Sequence, residues 1–547
     1  MAWDENELRQ LGLTPPSMRQ AIPDAPQDVA TVLEPALRGT PDAEAIVGRH
    51  ARFTFRQLDQ AVNAAAAFLQ TLGLKSGDRI AASIANGTDI VIAFLASQRL
   101  GAIWVGINRN YAQGEKAYFI RDAGVSVYLA DKDTAAQLEP LKTEFGDLTV
   151  VVVQPGEESQ WSRALLTHAA APRPQVVIDP FAPAAIAYTS GTTGFPKGAV
   201  HSQHNIMVSA TFTEHMAGDR RPGVTRGTSS PLTILNIMIG GPIATLSRGV
   251  RQVCMDRIDV AGIVEWVKQE RINTLNLVPT LVYDLLTLPN IDQNDLRSLT
   301  WMVVGAALVP ARLPLLYLER FGHRMTIGYG LTENPTAVTR SDDKTEGTEG
   351  AIGKPLPHLH VAILDEAGVE VARGEIGEIC VRAIEHGPWK DVYTPTLGYW
   401  KRRAATDEVL RGGWLHTGDL GSMDEHGQVF IRSRRSDLIL RGGANIYPAE
   451  IERVLREDPR VVDCAVIGKP DSRLGECPVA FIQAAAGNAT QALIEDLKLR
   501  CQPRIAKYKI PVDWFFIDQL PRNTMGKIVR SQLRDRIPAA APLTATK

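Results

Sequence analysis

The sequence predicts an α/β protein. The expected layout is a large N-terminal domain of parallel α/β sheets plus a small antiparallel β-barrel section, with a mobile, small α+β C-terminal domain. Three changes of texture predict it. Strand and helix patterns alternate as far as about Gly330; short strand-like runs divided by tight turns take over from about Ala351; a compact α+β pattern follows the polar, basic stretch Arg432 to Asp437. At 547 residues the chain exceeds what one hydrophobic core serves, so at least two domains are expected, 1–435 and 436–547, meeting at Ser436.

The elements follow in order. From Phe53 to Gly73 apolar residues recur at helical spacing (Phe55, Leu58, Val62, Phe68, Leu69), which predicts an amphipathic helix. The turn Ser76-Gly77-Asp78 ends that unit, a strand runs Arg79 to Ile84, and a second helix runs Asp89 to Leu100. Val150 to Val153, Ala184 to Tyr188 and Trp301 to Val304 are short apolar runs of the buried, parallel type. Later runs, Val361 to Leu364, Ile379 to Val381 and Val429 to Ile431, are separated by turns such as Asp365-Glu366-Ala367-Gly368, an antiparallel signature. The last segment reads as a helix from Ala449 to Glu457, a strand near Val462 to Ile467 and a helix from Gln491 to Cys501. The Ala/Pro-rich tail from Pro538 is expected to be disordered.

Composition excludes several function classes. Lys plus Arg total 59 against 61 Asp plus Glu, a net charge of −2, so no bulk field draws the chain to nucleic acid or anionic membrane. No apolar run approaches the roughly 18 residues of a membrane helix, and Met1 to Gln10 is polar, without the apolar core of a secretory leader. The 5 cysteines, Cys254, Cys380, Cys464, Cys477 and Cys501, form no CxxC pair, which fits reduced thiols in a cytoplasmic protein.

The strongest local feature follows the apolar run Ala184 to Tyr188. It reads Thr189-Ser190-Gly191-Thr192-Thr193-Gly194-Phe195-Pro196-Lys197-Gly198. Glycines let backbone N–H groups approach an anion, hydroxyls add donors, and Lys197 adds a point charge: a polyphosphate cradle by composition. It is not GxxxxGK[ST], because Lys197 stands between Pro196 and Gly198.

That loop resembles the phosphate-binding loop of the adenylate-forming superfamily, which holds acyl- and aryl-CoA ligases, adenylation domains and beetle luciferases. Further stretches carry the likeness along nearly the whole chain. Tyr329-Gly330-Leu331-Thr332-Glu333 looks like the family's aromatic-Gly-x-Thr-Glu stretch, and Gly413-Trp414-Leu415-His416-Thr417-Gly418-Asp419-Leu420 like its Thr-Gly-Asp motif. Arg434, Asp437-Leu438-Ile439 and Gly442-Gly443-Ala444-Asn445-Ile446-Tyr447-Pro448 resemble the hinge and the start of its C-terminal domain. Pro521-Arg522-Asn523-Thr524-Met525-Gly526-Lys527 resembles its catalytic-lysine loop.

The resemblance implies roles. Thr189, Ser190, Gly191, Thr192, Thr193, Gly194 and Lys197 would hold the ATP phosphates, and Glu333 would carry Mg²⁺. Tyr329 and Gly330 would sit at adenine, Thr332 at the α-phosphate, and Gly305, Ala306 and Ala307 where adenine and acyl group meet the backbone. Asp419 would accept the ribose hydroxyls, Arg434 would add a ribose or phosphate contact, and Lys527 would be the adenylation lysine. Gly442, Gly443 and Ala444 would line the tunnel for CoA once the C-terminal domain turns about Ser436, a serine where many relatives have Asp or Lys.

The acyl pocket is expected at Ile234, Leu235, Asn236, Met238 and Gly305, an apolar stretch without a charge. It favours a hydrophobic monocarboxylic acid, medium-chain fatty, alicyclic or aromatic; the same residues also read as plain core. The implied activity is an acid–CoA ligase using ATP, Mg²⁺ and CoA. An adenylating enzyme that loads a separate carrier protein stays open, as does a non-catalytic metabolite sensor. A homodimer is a family-level expectation.

Overall fold

The computed structural model describes residues 3–189, 196–216, 223–288, 291–306, 309–341, 348, 350–434, 437–441, 444–471, 474–523 and 526–537. They pack into two compact units. The first is Met1–Val361 with Cys380–Thr417; the second is Ala362–Ile379 with Gly418–Lys547. Ser436, the boundary read from sequence, lies outside the described residues, within the second unit's span.

The first unit is built on two sheets. One has the strand order Gly398–Tyr399, Lys197–Ser202, Pro183–Thr189, Ile103–Gly106, Arg79–Ser83, Val125–Ala130 and Thr149–Val152. Its inner pairings are parallel, as the apolar runs predict, and Lys197–Ser202 turns back antiparallel on Pro183–Thr189. The other centres on parallel strands: Met325–Leu331, Trp301–Gly305, Thr274–Leu277, Thr225–Thr228, Arg251–Cys254 and Glu44–Val47.

Helices cover these sheets for reasons visible in the sequence. Phe55–Thr71 starts at Thr54, whose hydroxyl takes the Gln57 N–H while the Gln57 side chain takes the Thr54 N–H. Its Leu58, Val62, Ala65 and Leu69 follow helical spacing and are fully buried. Burying such a leucine contributes about 1.5–3 kcal/mol, so Leu58→Ala would cost at least that much plus a cavity term. Thr88–Arg99 is apolar around most of its surface and buried along its length.

In the antiparallel section the strands follow the order Leu359–Leu364, Gly377–Ala383, Leu415–Met423 and Val429–Arg434. The order is linear and Leu359–Leu364 ends it, whereas a barrel needs its end strand paired again; among the described residues no closed barrel forms.

The rest of the second unit is α+β. Gly475–Ala484 pairs antiparallel with Val461–Asp471 and parallel with Asp513–Phe516. Helices Pro448–Arg456 and Gln491–Cys501 bring Ile451, Val454, Leu455, Leu493, Ile494 and Leu497 to a core around Trp514. All 5 cysteines are buried and none is in a disulfide, and among the described residues no helix is long and apolar enough to cross a membrane.

Candidate active site

In the first unit the phosphate-type loop joins two antiparallel strands whose register sets Thr189 opposite Lys197. Thr189 and Lys197 therefore stand at the base of the loop, tied by Thr189 Oγ1 to the Lys197 carbonyl at 3.4 Å. The Tyr118 hydroxyl donates to the Pro196 carbonyl at 2.9 Å and fixes the loop's exit. Ser190, Gly191, Thr192, Thr193 and Gly194 lie outside the described residues.

Strand Gly398–Tyr399 pairs with Lys197–Ser202, and this brings in a residue that sequence reasoning missed. The Tyr399 hydroxyl donates to Glu333 Oε1 at 2.6 Å, and the Tyr399 ring lies 5.4 Å from Lys197 Nζ. Glu333 follows the end of strand Met325–Leu331, and its carbonyl accepts the Thr396 N–H at 3.0 Å. The fold thus gathers Lys197, Tyr399, Thr332 and Glu333. No local pattern marks Tyr399, because its partner is 66 residues away.

Strand Met325–Leu331 alternates, so Tyr329 shares the buried face with Ile327 and Leu331 and is only 9% exposed, while Gly330 is half-buried on the other face. Gly305 pairs with Gly328 on the neighbouring strand, and a Cβ on Gly305 would sit 2.5 Å from the Gly328 carbonyl oxygen. Glycine is needed there for close strand approach, whatever ligand lies above. Ala306 follows with φ +68°, a left-handed conformation that alanine rarely adopts. Ala307 lies outside the described residues.

The segment expected at the acyl pocket divides in two. Leu235 and Met238 are buried in the core, whereas Ile234 and Asn236 are half-buried. Asn236 Nδ2 donates to the Leu331 carbonyl at 3.1 Å and so ties this segment to the Thr332-Glu333 turn. A π-turn at Ile239–Ile243 follows, with Pro242 inside it. Gly106 lets the segment approach: a Cβ there would meet the Thr233 carbonyl oxygen at 1.8 Å.

His201 is wholly buried beneath this region, with Nδ1 2.7 Å from Asn205 Oδ1. Burial pulls its pKa down to about 4, against the opposing hydrogen bonds of Asn205 and the Thr332 backbone, so the imidazole is neutral at pH 7.

The second unit holds the remaining residues. Asp419 is 2% exposed and faces Arg434 across an antiparallel pair, with Arg434 Nε 3.1 Å from its Oδ1. Gly418, φ +72°, donates its N–H to Glu378 at 3.0 Å and turns the chain into this pair. Lys527 is half-buried in a short turn where its N–H donates to Asn523 Oδ1 at 2.9 Å. Ala444 begins strand Ala444–Ile446; Gly442, Gly443 and Ser436 lie outside the described residues.

Among the described residues, Lys197, the Glu333 carboxylate at a strand end and the segment that Asn236 bonds to the same turn are gathered in the first unit. The AMP-binding enzyme model matches residues 33–387, and the model of that enzyme's C-terminal domain matches 450–527.

The chain belongs to the AMP-binding enzyme family.

The enzyme is 32% identical over 493 residues to the indoleacetate–CoA ligase of Aromatoleum aromaticum, covering 88% of this chain and 93% of the relative. It is 30% identical over 494 residues to a long-chain-fatty-acid–CoA ligase of Mycobacterium tuberculosis, covering 90% and 94%. The ATP-bound crystal structure of MatB from Rhodopseudomonas palustris superposes with a TM-score of 0.83 at 29% identity, covering 93% of this chain and 98% of that one. The enzyme is thus adenylate-forming, and its named relatives are acid–thiol ligases.

Proposed function

We propose that the enzyme is an ATP-dependent carboxylic acid–CoA ligase acting on a hydrophobic monocarboxylic acid, medium-chain fatty, alicyclic or aromatic. The observation that carries this reading is the bond from Asn236 to Leu331, which sets an uncharged apolar segment against the turn that bears Thr332 and Glu333. An amino-acid substrate would need a carboxylate there for its ammonium group, and residues 232–243 contain none. The relatives named for indoleacetate and for long-chain fatty acids add support for an apolar acid.

In the first step a carboxylate oxygen of the acid attacks the α-phosphorus of ATP, the bond to the bridging oxygen breaks, and pyrophosphate leaves. Negative charge spreads over phosphate oxygens, so fixed donors aimed at them lower the barrier. Thr189, Lys197 and the loop between them supply such donors, Thr332 reaches the α-phosphate, and Lys527 bridges it to the acid. Tyr329 and Gly330 bound the adenine, and Gly305 to Ala307 bound adenine and acyl group. The buried Asp419 accepts the ribose hydroxyls while Arg434 steadies it. Glu333 would hold Mg²⁺, a hard cation suited to carboxylate oxygens, and the Tyr399 hydroxyl bonded to Oε1 would orient that carboxylate. When bound, the ion neutralises phosphate charge.

In the second step the CoA thiolate attacks the acyl carbonyl of acyl-AMP and AMP leaves. The strand begun by Ala444, after Gly442 and Gly443, lines the thiol's approach, and residues 436–547 move as a domain about Ser436.

Acid-dependent AMP release with CoA, over straight-chain acids from acetate to palmitate and a set of alicyclic and aromatic acids, tests the reading. A sharp preference for one apolar class is expected. Turnover confined to dicarboxylic or amino acids would overturn the substrate class. Acyl-AMP formed without any thioester would overturn CoA as acceptor.

A further inference from the structure

The turn that carries Lys527 has its own internal bonds. The Asn523 N–H donates to the Lys527 carbonyl at 2.8 Å, the Gly526 N–H donates to the Asn523 carbonyl at 2.9 Å, and Arg522 bridges to Ile528. The Arg522 guanidinium adds a tie to the sheet beneath. Its Nη1 donates to the Gly526 carbonyl at 2.5 Å, and its Nη2 pairs with the Asp463 carboxylate on strand Val461–Asp471. Asp463 is itself held, accepting Arg456 Nε at 2.9 Å from helix Pro448–Arg456.

The held carbonyl belongs to the peptide that links Gly526 to Lys527. Gly526 has φ +73°, a conformation with several neighbouring alternatives for a glycine. Fixing that peptide plane fixes the direction in which the Lys527 Cα–Cβ bond leaves the turn. The Arg522 side chain is 31% exposed and that of Asp463 18%, so the pair adds little to stability. Its consequence is directional.

We propose that Arg522 is a positioning residue for Lys527: it clamps the Gly526 carbonyl to Asp463 and so aims the ammonium group in the adenylation half-reaction. The inference rests on the adenylation role given to Lys527 above. Without the clamp the lysine samples a wider arc, and near-attack geometry is lost for part of the time.

The test compares Arg522→Ala, Arg522→Lys, Asp463→Asn and Lys527→Ala in the full-length enzyme. Pyrophosphate exchange reads adenylation, and thioester formation from supplied acyl-AMP reads the second half-reaction. Arg522→Ala is expected to lower adenylation kcat about tenfold, with KM for ATP and acid within about twofold, because orientation and not binding is lost. Tm and thioester formation should hold. Arg522→Lys should recover part of the loss, since one ammonium replaces a two-armed fork. Asp463→Asn should lower adenylation as Arg522→Ala does, with a fall in Tm of its own because it also loses the Arg456 pair, and the double variant should adenylate no worse than the poorer single one. Equal losses in both half-reactions together with a lowered Tm would reduce Arg522 to a structural residue and overturn the proposal. So would unchanged adenylation in Arg522→Ala while Lys527→Ala abolishes it, which leaves the role of Lys527 standing. Adenylation intact in Lys527→Ala would sink that role and this inference with it.

Discussion

The two units hold their functional side chains by different physics. In the first, the groups around Glu333 sit at strand ends and are tied by neutral or singly charged bonds, Tyr399 to Glu333 and Asn236 to Leu331. Burial keeps its His201 and His204 imidazoles neutral, taking both down to about 4. In the second, a buried carboxylate gathers charged partners next to the segment that bears Lys527. The Glu452 side chain is 3% exposed and takes Arg530 at 2.8 Å, Arg456 at 3.4 Å and the Val466 N–H at 2.9 Å, while Arg530 reaches Asp437 at 3.2 Å. A large unit can fix a site by packing sheets and helices. A small unit with a thin core fixes its loops with charged forks, which give direction over a short reach.

Glu452→Ala should show the largest effect. It removes the buried carboxylate that Arg530 and Arg456 share, leaving them only Asp437 and Asp463, a cost of about 3 kcal/mol. Hydrogen exchange should rise throughout the second unit while the first keeps its protection. Uniform loosening of both units would break the contrast.

Lys527→Ala should lower adenylation by two to three decades, ~3–4 kcal/mol of transition-state stabilisation, by analogy with removing one oxyanion donor. Thioester formation from supplied acyl-AMP should largely survive. Equal loss in both half-reactions would contradict that division of labour.

Tyr399→Phe removes one bond to a carboxylate, worth about 1.5–3 kcal/mol. It should act on ATP–Mg²⁺ affinity and adenylation more than on folding. A fall in Tm without any change in nucleotide affinity would mean that Tyr399 only braces Glu333.

Gly106→Ala should cost about 1–3 kcal/mol through overpacking against Thr233. It should also shift the acid preference as the segment after Thr233 moves. Unchanged preference across the acid panel would separate that segment from substrate selection.

Acid should separate the units as well. His201, His204 and His358 have folded pKa values of about 4, 4 and 3, against about 6.5 when unfolded, with burial the leading cause. Below 6.5 the unfolded chain therefore binds protons that the folded first unit refuses, and stability falls by about 1.4 kcal/mol per pH unit for each histidine as pH drops toward 4. In the second unit the signs reverse. Arg460 holds Asp458 at about 2, and although burial alone would raise Glu452, the charges of Arg530 and Arg456 outweigh it and lower it. Their contribution is present above the usual carboxylate range and is lost only as pH falls through the lowered values. Hydrogen exchange followed from pH 7 to 4 should show the first unit loosening before the second; the reverse order would contradict this account.

The sequence by itself determined the alternation that makes the parallel sheets, the helix Gln491–Cys501 and the order of motifs from Thr189 to Lys527. These depend on periodicity and on turn chemistry between near neighbours, which a linear chain displays. It misread the antiparallel section as a barrel, because alternation fixes a strand's two faces but not which strands close on one another. Only the tertiary structure decided that Glu333 is met by Tyr399, that Gly106 lies against Thr233 and that Gly305 is a glycine for Gly328. The Arg522 fork to Asp463 spans 59 residues of chain. Such partners are chosen by where distant strands end, and a linear pattern does not record that meeting.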